Sequence, residues 1–468
     1  MRFGGIALDW TAPTGLLAAA THELTLFAAV GLLIGGIDDL IVDGVYLWRR
    51  LVRRLRADPA VVLADLPVPT QRFAIFVPAW DESAVIGHML AALADRLADP
   101  RLTVFVGAYP NDPATIEVVA GMAERDARIR LVIGVRAGPT TKADCLNSLW
   151  RALREEETWR GGDPYDAVIL HDAEDVVHPG ELTVFGHVLT AADAVQIPVL
   201  PLPRAGAHLV GGTYLDEFSE SHAKNLLVRT AIGAGLPLAG VGCAVARPLL
   251  DRIAAARGGS PFDATSLCED YELGLTIATM GGRMAFAAIP ERIGGPPVGV
   301  QAYFPSTLDT AVRQKTRWLL GIALAGWDRT GWGRGWRPGE LWMRMRDRRA
   351  PLAMVVLVAA YAALVLWLVR YATTPSGATV PQPDGWLTLM LVVNGALLLW
   401  RLAMRAAFVG RRYGMAEALR SAPRMLVGNI VAMMAARRAL IRYAAMLRGA
   451  PTRWDKTAHQ FPDMGGGA

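Results

Sequence analysis

The sequence predicts an α/β, Rossmann-like domain inserted between transmembrane helices, and three observations carry that expectation. Long apolar stretches stand toward both ends of the chain. Strand-then-helix patterns fill the middle. The bulk composition is that of a mixture, with 468 residues, 53% hydrophobic and 19% charged, and a mean hydropathy of +0.29. Such a chain is too apolar for an ordinary soluble domain and too charged in its centre for a bundle of spans alone. A net charge of +5 points toward nucleic acid only until the basic residues are located: they mostly flank apolar runs, where membrane topology accounts for them. Nucleic acid is therefore not expected as a partner. Cys145, Cys243 and Cys268 are odd in number and lack metal-ligand spacing, which argues against a disulfide framework or zinc site and fits a cytosolic setting.

Taken in order, "GLLAAATHELTLFAAVGLLIGGI" from Gly15 to Ile37 is long enough to cross a bilayer at roughly 20 residues per span. "WRRLVRRLR" follows it, and its five arginines mark the cytoplasmic side. There is no basic leader beyond Arg2 and no small-residue cleavage site, so the segment reads as an uncleaved anchor. His22 and Glu23 lie inside it, either as functional polar groups or as residues facing water near the outer end. Two more spans begin at Pro351 and Trp386, joined by the Pro- and Thr-rich "RYATTPSGATVPQPDG" and flanked on both outer sides by arginine clusters. The connector should be periplasmic and the flanks cytoplasmic. The last apolar stretch, from Met425, is interrupted by Arg437 and Arg438. Spanning and lying in the interface are both open, and the arginines favour the flat reading. The resulting divisions are 1–56, an anchor with a basic juxtamembrane helix; 57–310, the soluble domain; 311–350, an interfacial helix and basic linker; 351–409, a transmembrane hairpin; and 410–468, an interfacial helix and C-terminal segment.

Within the soluble part, "RFAIFVPAW", "LTVFVGAYP", "IRLVIGV" and "YDAVILHDAED" read as buried strands, separated by helical stretches. Repeated strand-helix units predict a parallel sheet covered on both faces, with ligands at the carboxyl ends of the strands. The residues at those ends are mostly acidic or suited to phosphate: Asp81 and Glu82, Asn111 and Asp112, and then Asp172, Glu174 and Asp175. Carboxylates gathered at one sheet edge repel one another unless a cation sits among them, and hard ions such as Mg²⁺ or Mn²⁺ take oxygen ligands together with substrate phosphates. The sequence has neither a GxGxxG nor a GxxxxGK loop, which moves dinucleotide oxidoreductases and P-loop NTPases out of the front rank. Metal plus phosphate without a P-loop points to nucleotide-sugar chemistry.

The chain resembles a family-2 membrane glycosyltransferase of the cellulose-synthase-like group, and within it the inner-membrane adsorption protein B family. The residues that carry the resemblance are "VPAWDES", "YPNDPAT", "TKADCLN", "HDAEDVVHP", "GVGCAVAR", "CEDYELG", "QKTRW" and "WDKTAHQFP", in order along nearly the whole chain. The resemblance implies a GT-A catalytic domain on the cytoplasmic side of a bacterial inner membrane. It implies inverting transfer from a UDP-sugar to a growing polysaccharide or a lipid-linked acceptor, with a periplasmic or outer-membrane export partner. Asp270 would be the general base, in a motif where Cys268 stands for the usual threonine. Asp172 would hold Mg²⁺ or Mn²⁺; the family triplet is Asp-x-Asp, which leaves Glu174, by spacing, and Asp175 to complete the set. Asp81, Asp112, Lys142 and Arg317 would meet the donor. Gln314, Trp318, Cys243 and Glu269 would meet the acceptor, and Lys456, Thr457 and His459 would form a lid. The "LLGIALAGW" that follows Trp318 is expected to be an amphipathic helix lying against the bilayer.

Overall fold

The structure is a computed structural model that describes residues 13–56, 59–376, 378–379, 382–450 and 460–462. After α1 (Pro13–Leu55), strands and helices alternate as expected: β1 (Phe73–Pro78), α2 (Ile86–Arg96), β2 (Leu102–Ala108), α3 (Pro113–Arg125), β3 (Ile129–Ile133), α4 (Lys142–Trp159) and β4 (Ala167–Leu170). The start of α3 shows why the chain breaks where it does. Asp112 accepts a hydrogen bond from the Thr115 backbone N–H, and Pro113 occupies the first turn, where its missing N–H costs nothing.

The second half comprises α5 (Glu181–Val188), β5 (Ala194–Gln196), β6 (Val199–Pro201), α6 (Val210–Glu220), a π-helical turn at Ser221–Asn225, α7 (Leu226–Ala231), β7 (Cys243–Ala246), α8 (Arg247–Ala256), α9 (Glu269–Thr279), β8 (Met284–Phe286) and β9 (Val300–Ala302). Seven strands form one sheet in the order β3-β2-β1-β4-β7-β5-β8, and β6 pairs with β9 in a second. Every residue of β1 is buried. Phe73, Ile75 and Val77 pack on one face with Met89 and Leu90 of α2, while Ala74 and Phe76 pack on the other with Leu146 and Trp150 of α4. Two covered faces erase polar alternation, which is why the strand reads as a continuous apolar run.

The expectation of a parallel sheet needs correction. β7 lies antiparallel between β4 and β5, so the sheet is mixed. Strict alternation, on which the parallel expectation rests, ends at β4; β7 is reached through the α6–α7 excursion and not through a single crossover helix.

Three helices among the described residues are long and apolar enough to cross a membrane: α1 from Gly15, α13 (Ala350–Thr373) and α14 (Gly385–Tyr413). They mark the chain as an integral membrane protein. A Cβ on Gly31 of α1 would lie 2.5 Å from Val356 of α13, so the small residue permits close helix approach. Asn394 donates to the Ala29 carbonyl at 2.9 Å, and Trp367 donates to Thr25 Oγ1 at 3.0 Å. The sequence reading separates anchor from basic helix, whereas α1 is one helix of 43 residues. Its central aspartates are all partnered. Asp38 accepts from Trp342 Nε1 at 2.6 Å, Asp39 pairs with Arg346 and Arg349 at 2.9 and 2.8 Å, and Asp43 pairs with Lys224 at 2.5 Å.

Between the domain and the hairpin run α10 (Leu308–Leu319), a π-helical turn at Leu320–Leu324, α11 (Ala325–Thr330) and α12 (Pro338–Arg348). "LLGIALAGW" is thus a π-turn and a short helix, not the single amphipathic helix expected. Gly321 seats against Cys268, 2.5 Å from where a Cβ would stand, and the backbone breaks at Leu324 with φ −117° and ψ −96°. α15 (Met415–Met446) packs on α6, α10 and α14. Its Arg424 is fully buried against Asp216 of α6 at 2.6 Å.

Candidate active site

A cavity of about 240 Å³ opens where the carboxyl end of β4, the first turns of α4 and α9, and the inner face of α10 converge. Asp172 and Glu174 follow β4, Lys142 opens α4, Glu269 and Asp270 open α9, and Gln314, Arg317 and Trp318 come from α10; all of them line it. The helical spacing of Gln314, Arg317 and Trp318 does what three- and four-residue spacing dictates, turning all three toward one side.

Lys142 sits at the centre of the charges. Its Nζ lies 2.6 Å from Asp172 Oδ1 and 3.6 Å from Glu269 Oε1, and donates to the Gly240 carbonyl at 3.4 Å. Burial alone would lower its pKa, but Asp172, Glu269 and Asp270 outweigh that and hold it above the usual lysine value. For Asp270 the balance runs the other way: burial and the neighbouring Glu269 push its carboxyl up to about 7, against the opposing pull of Lys142 and Arg317. A carboxylate tuned near neutrality in a cleft suits a general base. Gly240, with φ +73°, is required beside it, because a Cβ there would stand 2.8 Å from Asp270 Oδ2 and 3.1 Å from Lys142 Nζ.

Trp318 is braced from behind. Tyr214 meets it edge-on at 6.1 Å, Phe218 lies tilted at 6.3 Å, and Lys315 Nζ stands 4.8 Å from its ring centroid while pairing with Glu217. Gln314 Oε1 is buried with no hydrogen-bond partner among the described residues, which leaves an acceptor at the cavity wall for a hydroxyl to satisfy.

Several expected site residues are placed elsewhere. Cys243 is fully buried in the core beside Leu170 and Val245 and does not line the cavity. As the first residue of a strand inserted between β4 and β5, it faces the packed side of the sheet, within electrostatic reach of Asp270, Lys142 and Asp172. Asp81 and Asp112 stand at the ends of β1 and β2, outside the cavity lining. Asp112 spends its carboxylate on the Thr115 N–H and on the Asp81 N–H, the latter at 2.5 Å, and Asp81 has a positive φ of 53°. Asp175 borders the cavity, but its Oδ2 accepts from His171 Nδ1 at 3.0 Å and from the Asp172 N–H at 2.9 Å. No group of three His, Cys, Asp or Glu side chains among the described residues forms a ready metal cage. An ion shared with a diphosphate needs only one or two protein carboxylates, and Asp172 with Glu174 fits that demand. Lys456, Thr457 and His459 lie outside the described residues.

Some residues had no signal in the sequence. Arg204, just past β6, stacks its guanidinium 5.7 Å from the Tyr303 ring and hydrogen-bonds Gln460, and all three line the cavity. Only the aromatic residues directly after β9 hinted at a site there. Phe461 stacks on His88 of α2 with centroids 6.1 Å apart, so residues 460–462 lie against the α/β domain.

Residues 69–321 match the family described as "Glycosyltransferase like family 2". The chain belongs to this family. Across 98% of its length it is 36% identical to bacteriophage adsorption protein B of Escherichia coli K12 and, equally, to bacteriophage N4 adsorption protein B of Escherichia coli O157:H7. It spans 65% of the length of each of these curated relatives. Among solved structures, it is similar to a mannosyltransferase from Pyrobaculum calidifontis, in complex with GDP-Man and Mn²⁺, with a TM-score of 0.53 and 20% identity over 86% of this chain and 99% of that one. That likeness shows the fold: the family-2 domain is a GT-A domain with a mixed sheet, flanked by membrane helices.

Proposed function

We propose that the chain is an inverting, metal-dependent membrane glycosyltransferase that takes sugar from a UDP-sugar and extends an exopolysaccharide, passing it toward the periplasm. The observation that carries this reading is the single cavity shared by Asp172, Asp270, Arg317 and Trp318. In it, Asp270 takes the proton of the acceptor hydroxyl as that oxygen attacks the anomeric carbon from the face opposite the leaving nucleoside diphosphate. Arg317 presents its fork of N–H groups to the departing phosphates, and Lys142 adds a second positive charge. Trp318 offers a flat apolar face to the acceptor sugar, with Gln314 and Glu269 beside it to meet hydroxyls. Asp172 and Glu174 would hold Mg²⁺ or Mn²⁺, which when bound neutralises the diphosphate. Asp81 and Asp112, at adjacent strand ends, remain candidates for the nucleoside end of the donor.

The arginine-rich flanks support a cytoplasmic α/β domain and a periplasmic 370–385 connector. The return of Gln460 and Phe461 to the domain favours α15 lying along the interface, as does burial of Arg424 against α6.

The three candidate spans among the described residues are few for a self-contained pore, which favours as a second reading the transfer of one sugar to a lipid-linked acceptor. An export partner is needed only under the first reading. The names of the E. coli relatives keep a third open, a receptor scaffold with a silent site. The test is a screen of the purified protein with UDP-glucose, UDP-N-acetylglucosamine, GDP-mannose and related donors, with and without Mn²⁺. Metal-dependent release of nucleoside diphosphate with lengthening products supports polymerisation, and single-sugar products support the second reading. No release from any donor supports the scaffold.

A further inference from the structure

We infer that His171, Asp175 and Glu181 form a buried clamp that aims Asp172 into the cavity, and that Asp175 is a positioning residue and not a metal ligand. The inference rests on the reading of Asp172 as an oxygen donor to the metal. His171 and Glu181 are 0% exposed and Asp175 is 2% exposed. The two ring nitrogens of His171 each face a carboxylate oxygen at 3.0 Å, Nδ1 toward Asp175 and Nε2 toward Glu181. The imidazole ring is thus held from both edges by carboxyl oxygens, which fixes its orientation.

That clamp is tied to the site through one atom. Asp175 Oδ2, already holding His171, also accepts the Asp172 N–H at 2.9 Å, and the Asp175 N–H returns to the Asp172 carbonyl at 3.2 Å. The turn is closed on both strands of its backbone. Its closure leaves the Asp172 carboxylate pointing forward, 2.6 Å from Lys142 Nζ, while the Asp175 carboxylate points back into the protein. Glu181 anchors the far end from the first turn of α5, where the helix dipole favours a negative charge.

The arrangement explains the extra acid in "HDAED". At the spacing of an Asp-x-Asp triplet, Asp172 and Glu174 line the cavity; Asp175 borders it too, but its Oδ2 is held by His171 and the Asp172 N–H, and it is the fastening. Partners of this kind behind a metal ligand typically change metal affinity by about 10–100-fold when removed. Asparagine at 175 keeps an oxygen able to accept both N–H groups; alanine does not.

The experiment measures Mn²⁺ binding to the purified full chain by electron paramagnetic resonance of the free ion, alongside thermal unfolding and the KM for donor. Asp175→Asn is expected to hold Mn²⁺ to within about 10-fold of wild type, Asp175→Ala and His171→Ala to lose about 10–100-fold, and Asp172→Asn to lose more than any of them. Donor KM should rise in step with the Mn²⁺ dissociation constant. Where His171→Ala does not fold, His171→Gln, whose amide reaches one carboxylate, takes its place with the same expectation. An Asp175→Asn variant that loses as much affinity as Asp172→Asn makes Asp175 a ligand and overturns the inference. Lowered melting temperature with unaltered Mn²⁺ affinity for the His171 variant overturns it as well. An Asp172→Asn variant that binds Mn²⁺ normally fails the metal reading itself, and is thereby told apart from failure of the clamp.

Discussion

Asp270 must be ionised to accept a proton, and its folded-state pKa is raised to about 7, first by burial and then by Glu269. Below that value the carboxyl is protonated and idle; above it the base is present. Turnover should therefore climb as pH rises through about 7 and level off beyond it, measured as initial nucleoside diphosphate release at saturating donor and metal. A rate that falls with pH over the same interval contradicts the assignment. At this scale the sequence is informative where strand ends and helix turns dictate position: Asp172 after β4, Asp270 at the start of α9, and Arg317 with Trp318 on one side of α10. It is uninformative about which way neighbouring carboxylates point. Asp172, Glu174 and Asp175 read alike as letters, and only the buried His171 distinguishes the inward one. Asp112 shows the complementary case, since a residue at a strand end also caps the next helix and holds the Asp81 N–H.

At the scale of elements, α9 carries the base and is located by a glycine. A Cβ on Gly274, one turn beyond Asp270, would stand 2.2 Å from the Leu236 carbonyl oxygen and 3.0 Å from the Leu238 nitrogen. Both neighbours are backbone and cannot swing away. Gly274→Ala should therefore push the helix off the 236–238 segment, destabilise the fold by about 1–3 kcal/mol and lower kcat because Asp270 travels with it. Thermal unfolding and single-donor kinetics check this, and wild-type values for both exclude it. The glycine is plain in "CEDYELG", but the segment it touches is remote in sequence, so its reason was not legible. The antiparallel insertion of β7 escaped for the same cause: pairing between distant strands leaves no local pattern. The first three strands and their helices were readable because each pattern is local and both sheet faces are covered.

For the whole molecule, the spans were legible from length and apolarity alone, while the way they fasten to the domain was not. Asp38, Asp39 and Asp43 lie beyond the apolar window of α1, and their partners come from α12 and the Arg349 that follows it, from α14 and from the π-turn after α6. Topology can be tested with cysteine labelling, since native Cys145, Cys243 and Cys268 are 3%, 0% and 4% exposed and give little background. In intact cells a membrane-impermeant maleimide should reach Ser376→Cys in the connector and spare Trp159→Cys, whose parent side chain is 87% exposed on the α/β domain. Opening the membrane should expose the latter. The reverse pattern inverts the proposed orientation.

The most direct measurement of the central claim is nucleoside diphosphate release by wild type and Asp270→Asn, side by side with an accepted donor and Mn²⁺. The account predicts a loss of about 100-fold or more in kcat for the variant, with donor affinity and melting temperature little changed. Equal turnover of the two proteins would contradict it.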